Sequence, residues 1–249
     1  MLPTVWLKPG VLILYGAAFN TASHKHHAMQ FVWPEKQSLC LLDGREITAP
    51  FIINSQIDHR LHMESGWVLL AEPQSDLGYK FLMHLEEKPV VRLAELADIT
   101  VARPKQSDNP AELLAPLFSF LDLNLVFTEK SMSNSIADNR VKKLLDELDS
   151  CLLGDCQKPV AWRASDVASQ MALSESRFLH LFREEMSIAW RPYLLWRRAI
   201  CAINAITKGQ SATDAAHSAG FSDSAHLSRT FRSLFGISIR EAKSMFKPR

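Results

Sequence analysis

The sequence predicts an α+β chain of two domains: an antiparallel β-barrel or sandwich, then an all-α domain in which two helix-turn-helix units are joined by a long helix. Three observations predict it. Short apolar runs broken by turn residues fill the first hundred positions, helical periodicity replaces them from Asp138 onward, and one segment near the C-terminus occurs twice, 48 residues apart. With 249 residues the chain is long enough for two separate cores, and its 47% hydrophobic and 22% charged residues are those of an ordinary globular protein.

The β-rich half is read from apolar runs at 11–15, 29–33, 38–42, 51–54, 67–72 and 80–85, separated by Pro34, Asp43-Gly44, Pro50, Asn54-Ser55 and the turn-forming residues 73–78. The polar stretch 103–109, opening on Arg103-Pro104, is the predicted linker. Pro110 then suits a first helical position, and Leu113, Leu114, Leu117, Phe118, Leu121 and Leu125 form an apolar stripe that packs on its own domain or self-associates; Pro116 leaves a break within it open. After the polar residues 128–135, Asp138 is the expected N-cap of a helix whose Val141, Leu144, Leu145, Leu148 and Leu152 share one face. The boundaries that follow are 1–102 for a sensor or dimerisation domain, 103–137 for a linker with a self-association helix, and 138–249 for the helical domain.

The repeat carries the most information. Val167–Ser174 aligns with Ala215–Ser222 at an offset of 48, whereas Phe178 and Phe182 align with Leu227 and Phe231 at an offset of 49, so the second copy has one extra residue in its turn. Each copy reads as a helix, a tight turn and a second helix, at about 165–187 and 211–236. In the second copy Leu227, Phe231, Leu234 and Phe235 share a buried face, which leaves Ala225, His226, Arg229 and Arg232 outward; Ser222 or Asp223 caps the start. In the first copy Phe178, Leu181, Phe182 and Met186 are the buried set, Ser174 the cap, and Ser176, Arg177, His180 and Arg183 the outward set. An exposed arginine-bearing helix after a short turn has the chemistry of a major-groove reader, because guanidinium bonds both acceptors of a guanine edge. Between the copies, the 16 residues from Pro192 to Thr207 make a helical spacer of about 24 Å, which sets the outer helices near one turn of DNA apart, about 34 Å.

Charge agrees with this. Residues 1–137 hold 11 basic and 15 acidic side chains and residues 138–249 hold 17 and 12, net charges of −4 and +5 that point to a polyanion partner for the C-terminal part alone. The four cysteines, Cys40, Cys151, Cys156 and Cys201, have neither CxxC spacing nor the density of a disulfide framework, which fits a reducing cytoplasm. The longest N-terminal apolar stretch, 11–19, has about half the length a bilayer span needs, so no membrane partner is expected. No nucleophile elbow, phosphate loop or zinc-protease motif appears, so no enzyme is expected.

The segment from Ala219 through Gly220-Phe221-Ser222-Asp223 to Phe235-Gly236 resembles the signature of the AraC/XylS-type transcriptional regulators, and the resemblance extends over 138–249, including Tyr193 and Arg198. It implies a regulator that binds double-stranded promoter DNA in two adjacent major grooves, with Ser224, Ala225, His226 and Arg229 facing bases in the second unit and Ser176, Leu179 and His180 their matches in the first. Arg232 and Arg183 are better placed for phosphates. His180 stands where the family often has arginine, Ser187 where it has glycine, and Leu179 cannot hydrogen-bond a base edge, so the first unit contributes less discrimination. A homodimer and a small-molecule effector are the further partners implied.

His24-Lys25-His26-His27 resembles the first motif of the cupins, small barrels in which paired histidines precede a glutamate. Here the stretch 28–33, with Gln30, holds no carboxylate, so no metal or cofactor is expected; His24 and His26 with a later His59 or His62 are the metal candidates, and a metal-dependent enzyme using His24, His26 and His62, and a regulator without ligand, are the alternatives. The residues expected around an effector in the barrel mouth are Tyr15, His24, His26, His27, Gln30, Trp33, His62 and Trp67.

Overall fold

The computed structural model describes residues 4–105, 108–123, 136–154 and 162–245; Leu125, the polar stretch 128–135 and Cys156 lie outside the described residues. The N-terminal half is one antiparallel sheet of eight strands: β1 (Thr4–Lys8), β2 (Val11–Asn20), β3 (Met29–Pro34), β4 (Cys40–Leu42), β5 (Arg45–Glu46), β6 (Phe51–Ile53), β7 (Leu61–Ala71) and β8 (Val90–Arg92). The hydrogen-bonded path runs β1-β2-β7-β3-β6-β8, with β4 on the far end of β7 and β5 paired to β4. Among the described residues β1 and β8 do not pair, so the sheet is antiparallel as the turn spacing predicts but open along this path.

Alternation along the strands divides the side chains between two cores. Leu12, Leu14, Val32, Val68 and Leu70 face one side and join the C-terminal helices in a shared core. Ile13, Tyr15, Phe31, Trp33, Trp67 and Leu69 face the other, where α1 (Asp76–Leu85), α2 (Pro110–Leu113) and α3 (Ala115–Phe120) cover them. Residues 80–85, expected as a strand, belong to α1. Ser75 caps it by accepting from the Gly78 amide, and Leu77, Phe81 and Leu85 recur every four residues on its buried face, a helical period the short apolar run concealed. The apolar stripe is broken at Leu114, with Pro116 in the first turn of α3, and Leu114, Leu117, Phe118 and Leu121 are buried against the sheet, so of the two expectations these residues follow packing on their own domain.

The helical part comprises α4 (Asn139–Leu153), α5 (Ala164–Gln170), α6 (Glu175–Met186), α7 (Trp190–Thr207), α8 (Ala212–Ser218), α9 (Ser224–Phe235) and α10 (Ile239–Met245). The long helix α7 starts two residues before Pro192 and runs through both helical cores. Its Trp190, Tyr193 and Leu194 pack with α4, α5 and α6. From Trp196 to Ile206 it packs with α8, α9 and the inner face of the sheet. Cys40 is a buried free thiol, and Cys201 on α7 is disulfide-bonded, a pairing the cysteine spacing did not predict. No helix among the described residues is long and apolar enough to cross a membrane.

A buried polar cluster fastens sheet to helices. Glu72, at the end of β7, accepts hydrogen bonds from Tyr193 Oη at 3.1 Å, Trp196 Nε1 at 3.0 Å and Arg197 Nη1 at 3.3 Å, while Arg197 Nη2 reaches Asp149 Oδ1 on α4 at 2.6 Å. One guanidinium pairs with both carboxylates, and burial pushes the Asp149 carboxyl up, which lessens the excess negative charge that two ionised acids would place in the interior.

Candidate nucleic-acid interface

The two helix-turn-helix units are α5–α6 and α8–α9, and their turns differ as the repeat predicts: four residues, 171–174, against five, 219–223. In both, the chain leaves the first helix through a left-handed residue, Ala172 (φ 53°) or Gly220 (φ 79°), after which Leu173 or Phe221 donates back to the carbonyl of Ala168 or Ala216. The extra residue follows. Ser174 caps α6 by accepting from the Arg177 amide, and Asp223, not Ser222, caps α9 by accepting from the His226 amide at 2.6 Å. That bond holds the Asp223 carboxyl below its ordinary range. Both second helices end on a left-handed residue, Ser187 (φ 54°) and Gly236 (φ 68°).

The outward sets are largely as the periodicity dictates: Ser176, Arg177, His180 and Arg183 on α6, and Ala225, Arg229 and Arg232 on α9, are exposed. Three expected readers are placed differently. Leu179 is half-buried against the first unit's core, so it is a packing residue more than a groove contact. Ser224 is half-buried at the start of α9. His226 is half-buried and used by the turn, its Nδ1 3.2 Å from Ser222 Oγ and its ring edge-on to Phe221 at 5.2 Å. On α6 the exposed face also carries Glu184, 3.4 Å from His180 Nε2. In total α6 has two arginines against three glutamates, and α9 has two arginines and no acid.

The effector residues expected in one barrel mouth fall on opposite faces of the sheet. Tyr15, Trp67 and Trp33 lie side by side across β2, β7 and β3 on the outer face, where Tyr15 Oη donates to Glu35 at 3.3 Å and Trp6 stacks on Trp67. They line a cavity of about 390 Å³ of empty volume, partly open to solvent. His24, His26 and Gln30 face inward and line a second cavity, about 530 Å³ and also partly open, whose other walls are Leu14, Phe19, Val68 and Leu70 from the sheet and Ile203, Phe231, Phe235 and Ile237 from the helices. His62 lines neither; it sits on β7 opposite Asn20 and Leu41. His27 is buried edge-on to Tyr193 with its Nε2 unpartnered.

A family model described as a helix-turn-helix domain matches residues 167–245, which span both units. The C-terminal part of the chain is an AraC-type helix-turn-helix domain. Through this domain the chain is a DNA-binding transcription regulator. No curated protein matches it. Among solved structures, an apo ToxT variant from Vibrio cholerae strain SCE256 is similar with 14% identity and a TM-score of 0.51 over 98% of this chain and 96% of that one. ToxT from Vibrio cholerae O395 is similar with 13% identity and a TM-score of 0.50 over 100% and 98%. An unsaturated fatty acid bound wild-type ToxT from strain SCE256 gives 16% identity and a TM-score of 0.50 over 99% and 95%. At these identities the likeness establishes a shared fold over the length of the chain.

Sequence reasoning left the third histidine open between His59 and His62, and the fold selects His59. Ser23-His24 meets β7's approach through an isolated bridge, His24 to His59, which brings three buried imidazoles together: His24–His59 ring centres are 4.3 Å apart, and His26 is 5.6 Å from each. Burial first, then the neighbouring imidazoles, pushes His24 down to about 4 and His26 to about 3; burial lowers His59 as well. All three rings are neutral near pH 7.

Proposed function

We propose that this regulator engages promoter DNA with both units in successive major grooves on one face of the duplex, the second unit supplying most of the base discrimination and the first mainly backbone contact. The observation that carries this is the contrast between α9, whose exposed charges are Arg229 and Arg232 with no acid, and α6, where Glu184 shares the surface with His180 and Arg183. The 18 residues of α7, about 27 Å of helix, support the spacing of one DNA turn. Replacing Arg229 by Ala is expected to cost roughly 1–3 kcal/mol of specific binding in a salt-controlled gel shift, with Arg183→Ala costing less and lowering specific and non-specific binding alike. Equal loss of specificity from both substitutions would refute the division of labour.

In the same reading, a small apolar molecule in the cavity between sheet and helices shifts operator affinity, because Phe231 and Phe235 are both cavity wall and buried face of α9. The fatty-acid-bound ToxT structure, of the same fold, supports a hydrophobic guest. A thermal-stability titration with long-chain fatty acids tests it: no rise in melting temperature at saturating ligand would leave the regulator without this effector. A cytoplasmic, non-enzymatic homodimer completes the reading; Tyr79, Leu82 and Met83, exposed along one stripe of α1, support self-association.

A further inference from the structure

The three inward histidines are arranged in a way their burial alone does not require. Each engages a backbone carbonyl through Nδ1: His24 to Ala22 O at 3.0 Å, His26 to Ala28 O at 2.7 Å and His59 to Ile57 O at 2.9 Å. A carbonyl only accepts, so every Nδ1 carries the proton and every Nε2 of these neutral rings carries a lone pair. Two of those lone pairs, on His26 and His59, meet the same atom, Gln30 Oε1, at 3.1 Å each, and that oxygen is an acceptor too. One ring nitrogen from each of the three histidines lies within 4.8 Å of the others. His24, His26, His59 and Gln30 are all 5% exposed or less.

Buried acceptors converging on one point need a donor or a cation among them. Turning the Gln30 amide would supply two N–H groups, which serve two imidazoles and leave the third. A metal ion serves all four. Backbone carbonyls holding Nδ1–H are the arrangement that fixes a metal-binding histidine's tautomer and aim. The 3.1 Å separations match neighbouring ligands around one ion with bonds of about 2.0–2.2 Å, and three imidazoles with one amide oxygen are a donor set for borderline divalent cations.

We propose that His24, His26 and His59, with the side-chain oxygen of Gln30, bind one divalent transition-metal cation of the Zn²⁺ class on the polar wall of the interdomain cavity. The sequence expectation of no metal rested on the absence of a carboxylate from residues 28–33, with the third histidine open between His59 and His62; the Gln30 amide oxygen fills the first place and His59 the second. The site stands independently of any apolar guest and of DNA binding.

The full-length protein, stripped by chelator and titrated with Zn²⁺ and with Co²⁺, tests it by calorimetry and visible absorption. One ion per chain is expected, with Co²⁺ d–d bands and no thiolate charge-transfer band, and with a melting temperature that rises with Zn²⁺. His26→Ala and His59→Ala should each lose these signals. Gln30→Glu keeps the test decisive even where an alanine variant fails to fold: a carboxylate ligand should tighten Zn²⁺ by roughly tenfold or more. Were Gln30 a donor bridging two rings, the same change would remove both bonds, lower the melting temperature and add no affinity. That outcome, absence of stoichiometric binding, or Zn²⁺ binding that survives both histidine substitutions overturns the proposal.

Discussion

The two helix-turn-helix units are copies in secondary structure and opposites in how they are fastened. The second shares its core with the sheet, where Phe231 and Phe235 lie among Leu12, Leu14 and Leu70, and its closing residue Gly236 gives its carbonyl to the Ala22 amide at 2.8 Å. The first keeps a core of its own with α4 and Trp162, and is tied to the sheet by polar groups: the Glu72 cluster, and Gln74 Nε2 donating to Met186 O at 2.8 Å. The second unit also has glycine at both left-handed positions, where the first has Ala172 and Ser187. A duplicated motif can thus keep its local geometry while one copy becomes part of the sheet's core and the other remains a separate packing unit.

The largest expected effect comes from cutting the first unit's fastening. Glu72→Ala leaves Tyr193 Oη and Trp196 Nε1 unpartnered and Arg197 with Asp149 alone, all buried, and is expected to cost about 3–5 kcal/mol in urea unfolding; a loss under about 1 kcal/mol would mean that the cluster adds no hold. For the second unit the matching cut is Gly236→Ala. A Cβ there would stand 2.5 Å from Ala22 O and 2.7 Å from His24 Nδ1, at a backbone φ of 68°, so a cost of about 1–3 kcal/mol is expected, with hydrogen exchange rising first in α9. Uniform exchange across both units after that change would erase the distinction between them.

The repeat was legible because helices declare themselves locally: a 3.6 period, a cap and a turn residue sit within a dozen positions of each other. The sheet was less so. Which histidine joins His24 and His26 depends on how residues 24 and 59 are paired across 35 positions of chain, and His59 and His62 differ by one odd step that reverses the face. By contrast, the separation of Gln30 from Trp33 was readable: three residues along β3 is also an odd step, so the two could not line one cavity. The run 80–85 failed for another reason, since six apolar-rich residues fit either period until Ser75 and Asp76 are recognised as a helix start.

A smaller effect should come from the helix ends. Ser187→Gly removes a side chain from the left-handed region at an exposed site, and a gain of about 0.5–1 kcal/mol is expected in the same unfolding assay, bringing the first unit nearer the second. The smallest concerns the caps and is a matter of pH. Asp223 is held below its ordinary carboxyl value, so its contribution is complete above about pH 4 and is lost as pH falls through the lowered value, whereas Ser174 does not titrate. Amide exchange in the first turn of α9 should therefore accelerate on acidification relative to α6; parallel behaviour of the two helices would assign the capping at Asp223 no role.

Gln74 and Ala22 hold the two recognition helices at the same point, the carbonyl at the tail of each. The donors sit on the loops that follow β7 and β2, so the sheet is a caliper laid across the same two helices that α7 joins. The spacing of α6 and α9 is fixed twice, once by a helix that cannot stretch and once by a sheet that can twist. An occupant that alters the sheet's twist would change the pitch the two readers fit, and so select among operators by spacing before any base is touched.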